Sequence, residues 1–294
     1  MDKNIFSGLE GLGIETPDDI NLFKKAEENQ EAADVEKASE SNEDKQKVHL
    51  YDKEVQCPVC NATFKAKMVK SASPRISKKE SDFFNKYDII NPYFYDVWLC
   101  NCCGYASMKV DFLKIKEHQK DLVKTKISTK WQGKTYPAIY DVNTAIERYK
   151  FALYNSAIIE ASSSRKAMNC LKIAWMYRIL EDTAHEVYFI QQALEGFNDA
   201  FINESTPLYG MDHGTLMYLI GELFRRVGDI DNANLWFSKL ITSNNVDQKI
   251  KEMARTQRDL IKEVEAEEKR EAEEANENQE DKNTKKGFFS KLFK

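Results

Sequence analysis

Five of the six cysteines fall in two short clusters whose spacing is typical of metal binding. The first cluster reads CPVC over Cys57–Cys60, and the second reads CNCC over Cys100–Cys103. Two residues between two cysteines let one tight turn, a knuckle, aim both sulfurs at the same ion, at about 2.3 Å from a zinc ion. Because tetrahedral zinc needs four ligands, the spacing predicts one structural Zn²⁺ held by thiolates. The predicted ligands are Cys57, Cys60, Cys100 and Cys103.

The residues around the two pairs fit this prediction in most respects. The residue after a knuckle often takes a left-handed backbone, which Gly104 adopts freely and Asn61 tolerates. The separation is unusual, because 39 residues lie between the pairs, against about 15–20 in a compact zinc ribbon. We therefore expect the segment 70–92 to loop out as an insertion, and Cys102 to be a spare thiol.

Other cysteine chemistry has less support in the sequence. The first ten residues contain no apolar region of the kind that marks a secretory signal. We therefore expect a cytoplasmic protein, in a reducing compartment where structural disulfides are rare. A catalytic dithiol of the thioredoxin type needs a βαβ context, which does not surround Cys57. Cys170 lies in an apolar helical pattern and is predicted to be a buried hydrophobic residue.

The composition favours a helical scaffold around this centre. The chain of 294 residues contains only 11 Gly and 6 Pro, and after Gly104 its apolar residues recur with a period near 3.6. We predict a mainly α fold, with irregular TPR-like antiparallel helical repeats and a small β zinc-ribbon-like module on the N-terminal side. The predicted helices are 111–126, 142–161, 165–180, 185–203, 214–227, 230–241 and 247–264.

The repeat assignment depends on residues at the spacing of a tetratricopeptide (TPR) unit. Small Gly221 and Ala233 would let two helices approach closely, while Phe224 and Phe237 fill the space beside them. Similar traces occur earlier in the chain, but at intervals longer than the usual period of about 34 residues. The array is therefore irregular, and an ordinary helical bundle is the alternative.

Charge is distributed unevenly along the chain and suggests four segments. The stretch 24–54 has a net charge of −4, 55–126 has +6, and 262–284 has −6. Acidic stretches with little apolar area cannot offset the entropy of ordering. We predict a mostly disordered acidic linker over 1–47, the zinc-ribbon-like module with its inserted loop over 48–110, the helical repeats over 111–264, and a charged tail over 265–294.

Several strings taken together resemble the bacterial family called domain of unknown function 2225. They are NIFSGLE at 4–10, Cys57–Cys60 with Phe64, VKS at 69–71, Arg75, DF at 82–83, NP at 91–92, YDV at 95–97, CGYA at 103–106, IGEL at 220–223 and WFSK at 236–239. The resemblance implies a Cys₄ zinc-ribbon-like unit fused to TPR-like helices, with the same four cysteines as ligands. The family usually has proline where this chain has Asn101, and Cys102 also departs from its pattern, which leaves Cys102 open as an alternative ligand.

We find no catalytic constellation in the sequence and predict a non-enzymatic cytoplasmic adaptor that binds a protein or peptide through its helices. Two alternatives stay open: a nucleic-acid-associated protein that uses the basic region, and a redox sensor that uses Cys102. No stretch approaches the ~20 apolar residues of a transmembrane helix. The last ten residues, KKGFFSKLFK, form a short basic amphipathic segment that would dock weakly on a membrane surface or a partner.

Overall fold

The computed structural model describes residues 46–292, with side chains described as far as Arg270. This part of the chain is mainly helical, as predicted, and has three small antiparallel strand pairs near its N-terminal side. The strands are β1 Leu50–Gln56, β2 Thr63–Val69, β3 Ile76–Lys79, β4 Asn85–Tyr87, β5 Val97–Leu99 and β6 Ala106–Met108. The helices are α1 Glu117–Lys126, α2 Val142–Ile158, α3 Ser163–Ile179, α4 Thr183–Asn203, α5 His213–Arg226, α6 Ile230–Thr242 and α7 Gln248–Leu292.

The described chain forms two compact units that divide between Asp212 and His213. In the first unit the six strands and α1–α4 lie together, and the second unit contains α5–α7. The four-segment division by composition stays a prediction. Its linker over 1–47 lies outside the described residues except for the last two positions.

Two of the strand pairs are hairpins that carry cysteines in their turns. β1 pairs with β2 in a register that runs from Leu50↔Val69 to Gln56↔Thr63. β5 pairs with β6, with Leu99 opposite Ala106. Each cysteine pair therefore lies in the turn that connects the two strands of a hairpin, as the spacing predicted.

The predicted insertion between the knuckles contains the β3–β4 hairpin, and it is anchored on α3. Asp82 is fully buried and accepts hydrogen bonds from Arg178 at 2.7 Å and from the indole of Trp175 at 3.0 Å. Arg178 also pairs with Glu80 at 2.8 Å. A buried carboxylate is tolerated only when it is paired and hydrogen-bonded, so these contacts fix the insertion to the helix.

Three helices begin where an aspartate caps the first turn. The side chains of Asp141, Asp182 and Asp229 each accept a hydrogen bond from the backbone N–H three residues later. This interaction satisfies one of the N–H groups that a helix leaves without a partner. The starts of α2, α4 and α6 lie within two residues of their predicted positions.

Two predicted helices differ more than the others from the structure in their bounds. The stretch 111–126 divides into a 3₁₀ turn at Phe112–Lys114 and α1, because Lys116 is extended and its N–H donates to the side chain of Gln119. The last helix continues to Leu292 rather than ending near Val264. Its continuation is rich in alanine, glutamate and lysine, which favour helix even without packing.

The close helix approach predicted at Gly221 is present within the second unit. A Cβ at this position would lie 2.8 Å from the ring of Phe237, so α5 and α6 meet at a distance that only glycine permits. The TPR-like repeat as a whole stays a prediction. Within the described part of the chain, each helix is too short or too polar to cross a membrane.

Candidate metal centre

The first knuckle, Cys57–Ala62, is the tight turn between β1 and β2. The N–H of Cys57 donates to the carbonyl of Ala62 at 2.9 Å, and the N–H of Asn61 donates to the carbonyl of Cys57 at 2.9 Å. Asn61 has a left-handed backbone with φ of 60°, as predicted for the residue after the pair. The turn leaves Cys57 fully buried and Cys60 partly exposed.

The second knuckle, Cys100–Tyr105, repeats this pattern between β5 and β6. The N–H of Cys100 donates to the carbonyl of Tyr105 at 2.9 Å, and the N–H of Gly104 donates to the carbonyl of Cys100 at 2.8 Å. Gly104 has the left-handed φ of 75°. Cys100 and Cys103 are both buried. Two sequence segments far apart in the chain therefore build the same local structure.

The two knuckles bring four sulfurs to one point. The ligand atoms of Cys57, Cys60, Cys100 and Cys103 all lie within 4.8 Å of one another. The Sγ atoms of Cys57 and Cys103 are 3.6 Å apart, and those of Cys60 and Cys100 are also 3.6 Å apart. A tetrahedral ion bonded to sulfur at about 2.3 Å would space the sulfurs by about 3.8 Å, whereas a disulfide needs about 2.05 Å. The arrangement fits a metal ion.

The thiols in the cluster strongly affect one another's ionisation. Hydrogen bonds from Cys103 and Cys57 lower the pKa of Cys100 to about 2. The hydrogen bond with Cys100 raises the pKa of Cys57 to about 12, and the same partner raises the pKa of Cys103. A divalent cation at this point would compensate further ionisation.

The other two cysteines lie outside this cluster. Cys102 is exposed and is not one of the four converging residues. The pKa of its thiol is raised, and the main cause is a hydrogen bond with Cys60. Cys170 is fully buried in α3, and desolvation raises its pKa, in agreement with the predicted hydrophobic role.

The segment between α1 and α2 covers the second knuckle from outside. The indole N–H of Trp131 donates to the carbonyl of Asn101 at 2.8 Å, and the hydroxyl of Ser128 donates to the carbonyl of Cys103 at 2.8 Å. A Cβ on Gly104 would lie 2.8 Å from the Trp131 ring. Glycine is therefore required at this position for two reasons: the left-handed backbone and the lack of space beside Trp131. Trp131 also stacks on Phe151 of α2, with ring centroids 5.1 Å apart.

Helix α2 supports the same hairpin from inside. The fully buried side chain of Asn155 accepts from the N–H of Ala106 at 3.2 Å and donates to the carbonyls of Gly104 and Phe151. Arg148 donates to the carbonyl of Val97 at 2.7 Å. Buried backbone groups need such partners, so α2 and the second knuckle form one polar network.

The sequence analysis did not identify these supporting residues. Asn155 lies 49 residues from Ala106, and Trp131 lies 30 residues from Asn101. Asparagine is a poor helix former. An asparagine inside a helical pattern is therefore weak evidence that its side chain makes a specific hydrogen bond. That signal does not show which backbone groups the side chain would contact.

Comparison with known proteins gives one finding. The model of a family described as an uncharacterized protein conserved in bacteria, DUF2225, matches residues 50–261. This range includes the four converging cysteines, the β3–β4 insertion and most of the helices. None of the curated proteins or solved structures matches the chain.

Proposed function

The chain belongs to the DUF2225 family of uncharacterized bacterial proteins, and we propose that it is a non-enzymatic scaffold folded around one structural Zn²⁺. The observation that carries this proposal is the convergence of four cysteine sulfurs within 4.8 Å. In the proposed function the ion holds the two knuckles together, and the helices bind a protein partner.

The donor set supports zinc as the metal. Four cysteine thiolates from two Cys-x-x-Cys turns are a common structural zinc site, and soft sulfur ligands disfavour magnesium and calcium. Tetrahedral S₄ geometry also suits iron, which metal analysis distinguishes. Because the protein itself supplies four ligands, the site leaves no position for a substrate, as expected of a structural ion.

Exposed apolar side chains on the second unit support binding of a partner. Leu235 on α6 is 48% exposed, and Leu260 and Val264 on α7 are 44% and 55% exposed. A single exposed apolar side chain is common on protein surfaces and needs no explanation. Several of them in consecutive helices of one unit offer contacts to an apolar partner surface. The TPR-like spacing at Gly221 and Phe237 adds the expectation that the partner is a peptide or protein.

Ion pairs of the basic region argue against the nucleic-acid alternative. Several lysines of the basic region pair with carboxylates, including Lys109 with Asp96 at 2.6 Å and Lys67 with Asp52 at 3.1 Å. These lysines are therefore less available for contacts with phosphates.

Affinity capture from a bacterial lysate with the full chain tests partner binding. We expect a specific protein to be recovered, and the double variant Leu235→Asp with Leu260→Asp to lose it. Leu113→Asp is the matched control, because Leu113 is an equally apolar side chain, 66% exposed, in the first unit. Recovery of no specific protein, or equal recovery by the double variant, would contradict the proposal.

A further inference from the structure

The second knuckle carries a fifth thiol beside the four converging sulfurs. Cys102 is exposed to solvent, and its side chain forms a hydrogen bond with that of Cys60 in the first knuckle. Among the four predicted ligands, Cys60 is the partly exposed one and the other three are buried. One ligand sulfur and one sulfur outside the ligand set are therefore neighbours where solvent reaches the centre.

This arrangement supplies the two sulfurs that reversible thiol oxidation needs. The sulfur that reacts first is a thiolate that solvent can reach, and a bound metal ion deprotonates the cysteines that hold it. The second sulfur, the resolving thiol, must lie close to the first. In the zinc-loaded protein Cys60 meets the first requirement, and Cys102 meets the second without being a ligand itself.

We propose that Cys60 and Cys102 form a redox switch, in which a hydroperoxide oxidises the two cysteines to a disulfide and the protein releases its metal ion. This inference rests on the zinc site of the proposed function. It adds a reaction of two particular side chains, and it gives the exposed Cys102 a role that metal binding does not.

The reaction balances in two steps with one molecule of hydroperoxide. The thiolate of Cys60 attacks the peroxide, so an S–O bond forms, the O–O bond breaks, and hydroxide or an alkoxide leaves. The thiol of Cys102 then attacks the sulfenic acid on Cys60, so an S–S bond forms and the hydroxyl group leaves with the thiol proton as water. The two sulfurs together lose two electrons, which the peroxide gains.

The disulfide changes the metal site more than it changes the fold. Zinc is held by thiolates, and oxidation removes one of the four, so the affinity for the ion falls. Cys60 belongs to the first knuckle and Cys102 to the second, so the new bond joins the two knuckles in place of the ion. We therefore expect the oxidised chain to lose zinc but to remain folded.

Treatment of the full chain with hydrogen peroxide, after removal of the reducing agent, tests this inference. We expect one zinc ion per chain to be released, measured with a zinc-sensitive dye. Tandem mass spectrometry of tryptic peptides should locate a disulfide between Cys60 and Cys102. The circular dichroism of the helices should stay unchanged. Dithiothreitol with added zinc should restore the zinc-loaded chain, because thiol exchange reverses a disulfide.

Two single variants separate the resolving thiol from a general effect of removing a cysteine. Cys102→Ser is expected to lose zinc to hydrogen peroxide and not to regain it in dithiothreitol, because a sulfenic acid that is not resolved is oxidised further to a sulfinic acid. Cys170→Ala is the matched control, because it removes one buried thiol outside the cluster. This control should respond to peroxide as the unchanged chain does.

The zinc content before oxidation tests the metal site separately from the switch. A zinc-loaded chain that forms no disulfide between Cys60 and Cys102, or one that joins Cys60 to Cys100 instead, would overturn the switch and leave the zinc site intact. Full recovery of zinc by Cys102→Ser in dithiothreitol would have the same meaning. A chain that contains no zinc before oxidation would overturn both the site and the switch.

Discussion

The two knuckles have the same internal hydrogen bonds but differ in what surrounds them. Each places a left-handed residue directly after its second cysteine, Asn61 in one and Gly104 in the other. The first knuckle ends a hairpin with many exposed residues. The second ends a hairpin whose strands are fully buried, and it is held by Asn155 and Trp131.

This difference indicates how the centre is assembled. The second knuckle has a polar network with α2 and the segment before it, so much of its geometry is fixed by packing. The first knuckle has fewer such contacts, although the ring of Phe64 on β2 meets Phe112 at 5.8 Å. We infer that a bound ion would contribute most by attaching the first knuckle to a second knuckle that the helices already hold.

The largest predicted effect comes from removing a ligand. Cys103→Ser is expected to eliminate bound metal and lower the free energy of unfolding of the first unit by several kcal/mol, because structural zinc binding is worth about 10–16 kcal/mol in small domains. Metal analysis and thermal melts measure both effects.

Cys60→Ser tests whether the first knuckle depends more on the metal than the second knuckle does. It should also lose metal but retain more helical signal, because its knuckle contacts the helices less. Cys102→Ser is the control and should keep one ion per chain. Loss of metal from Cys102→Ser equal to that from Cys103→Ser would show that the ligand set is wrong.

The next effect concerns the network around the second knuckle. Asn155→Ala leaves the N–H of Ala106 and the carbonyl of Gly104 buried without this partner, at a cost of about 2–4 kcal/mol. Asn169→Ala is the matched control, since Asn169 is also buried but bonds only within its own helix, to the carbonyl of Arg165. Chemical denaturation compares the two variants. Equal costs would show that Asn155 does not bridge α2 and the knuckle.

A smaller effect comes from exchanging the two left-handed residues. Gly104→Asn should lower the free energy of unfolding by about 1–3 kcal/mol, because a Cβ would meet the Trp131 ring at 2.8 Å. Asn61→Gly should change it by less than about 1 kcal/mol, because glycine adopts the same backbone readily. Denaturation curves of the two variants test this asymmetry. Similar losses for both would mean that the knuckles are equally constrained.

The smallest effect is expected for Trp131→Phe. Phenylalanine retains the stacking on Phe151 but loses the 2.8 Å hydrogen bond to Asn101. The expected cost is about 0.5–1.5 kcal/mol, measured by denaturation, with faster hydrogen exchange in the segment before α2. Unchanged exchange there would show that the indole hydrogen bond does not hold this segment on the knuckle.

The contrast between local and distant contacts also explains what the sequence could predict. The cysteine spacing, the left-handed positions and the helix periods depend on residues within one or two turns, and these predictions are close to the structure. The anchor between Asp82 and Arg178 joins positions 96 residues apart. An isolated sequence does not show which polar residues meet across that distance, so the anchoring of the insertion on α3 could not be predicted.

Metal analysis of the full chain, purified under reducing conditions and combined with X-ray absorption spectroscopy, tests the central claim most directly. We expect one zinc ion per chain, bonded to four sulfurs at about 2.3 Å. A metal-free protein that remains folded, or an ion bonded to oxygen or nitrogen in place of one of these sulfurs, would contradict it.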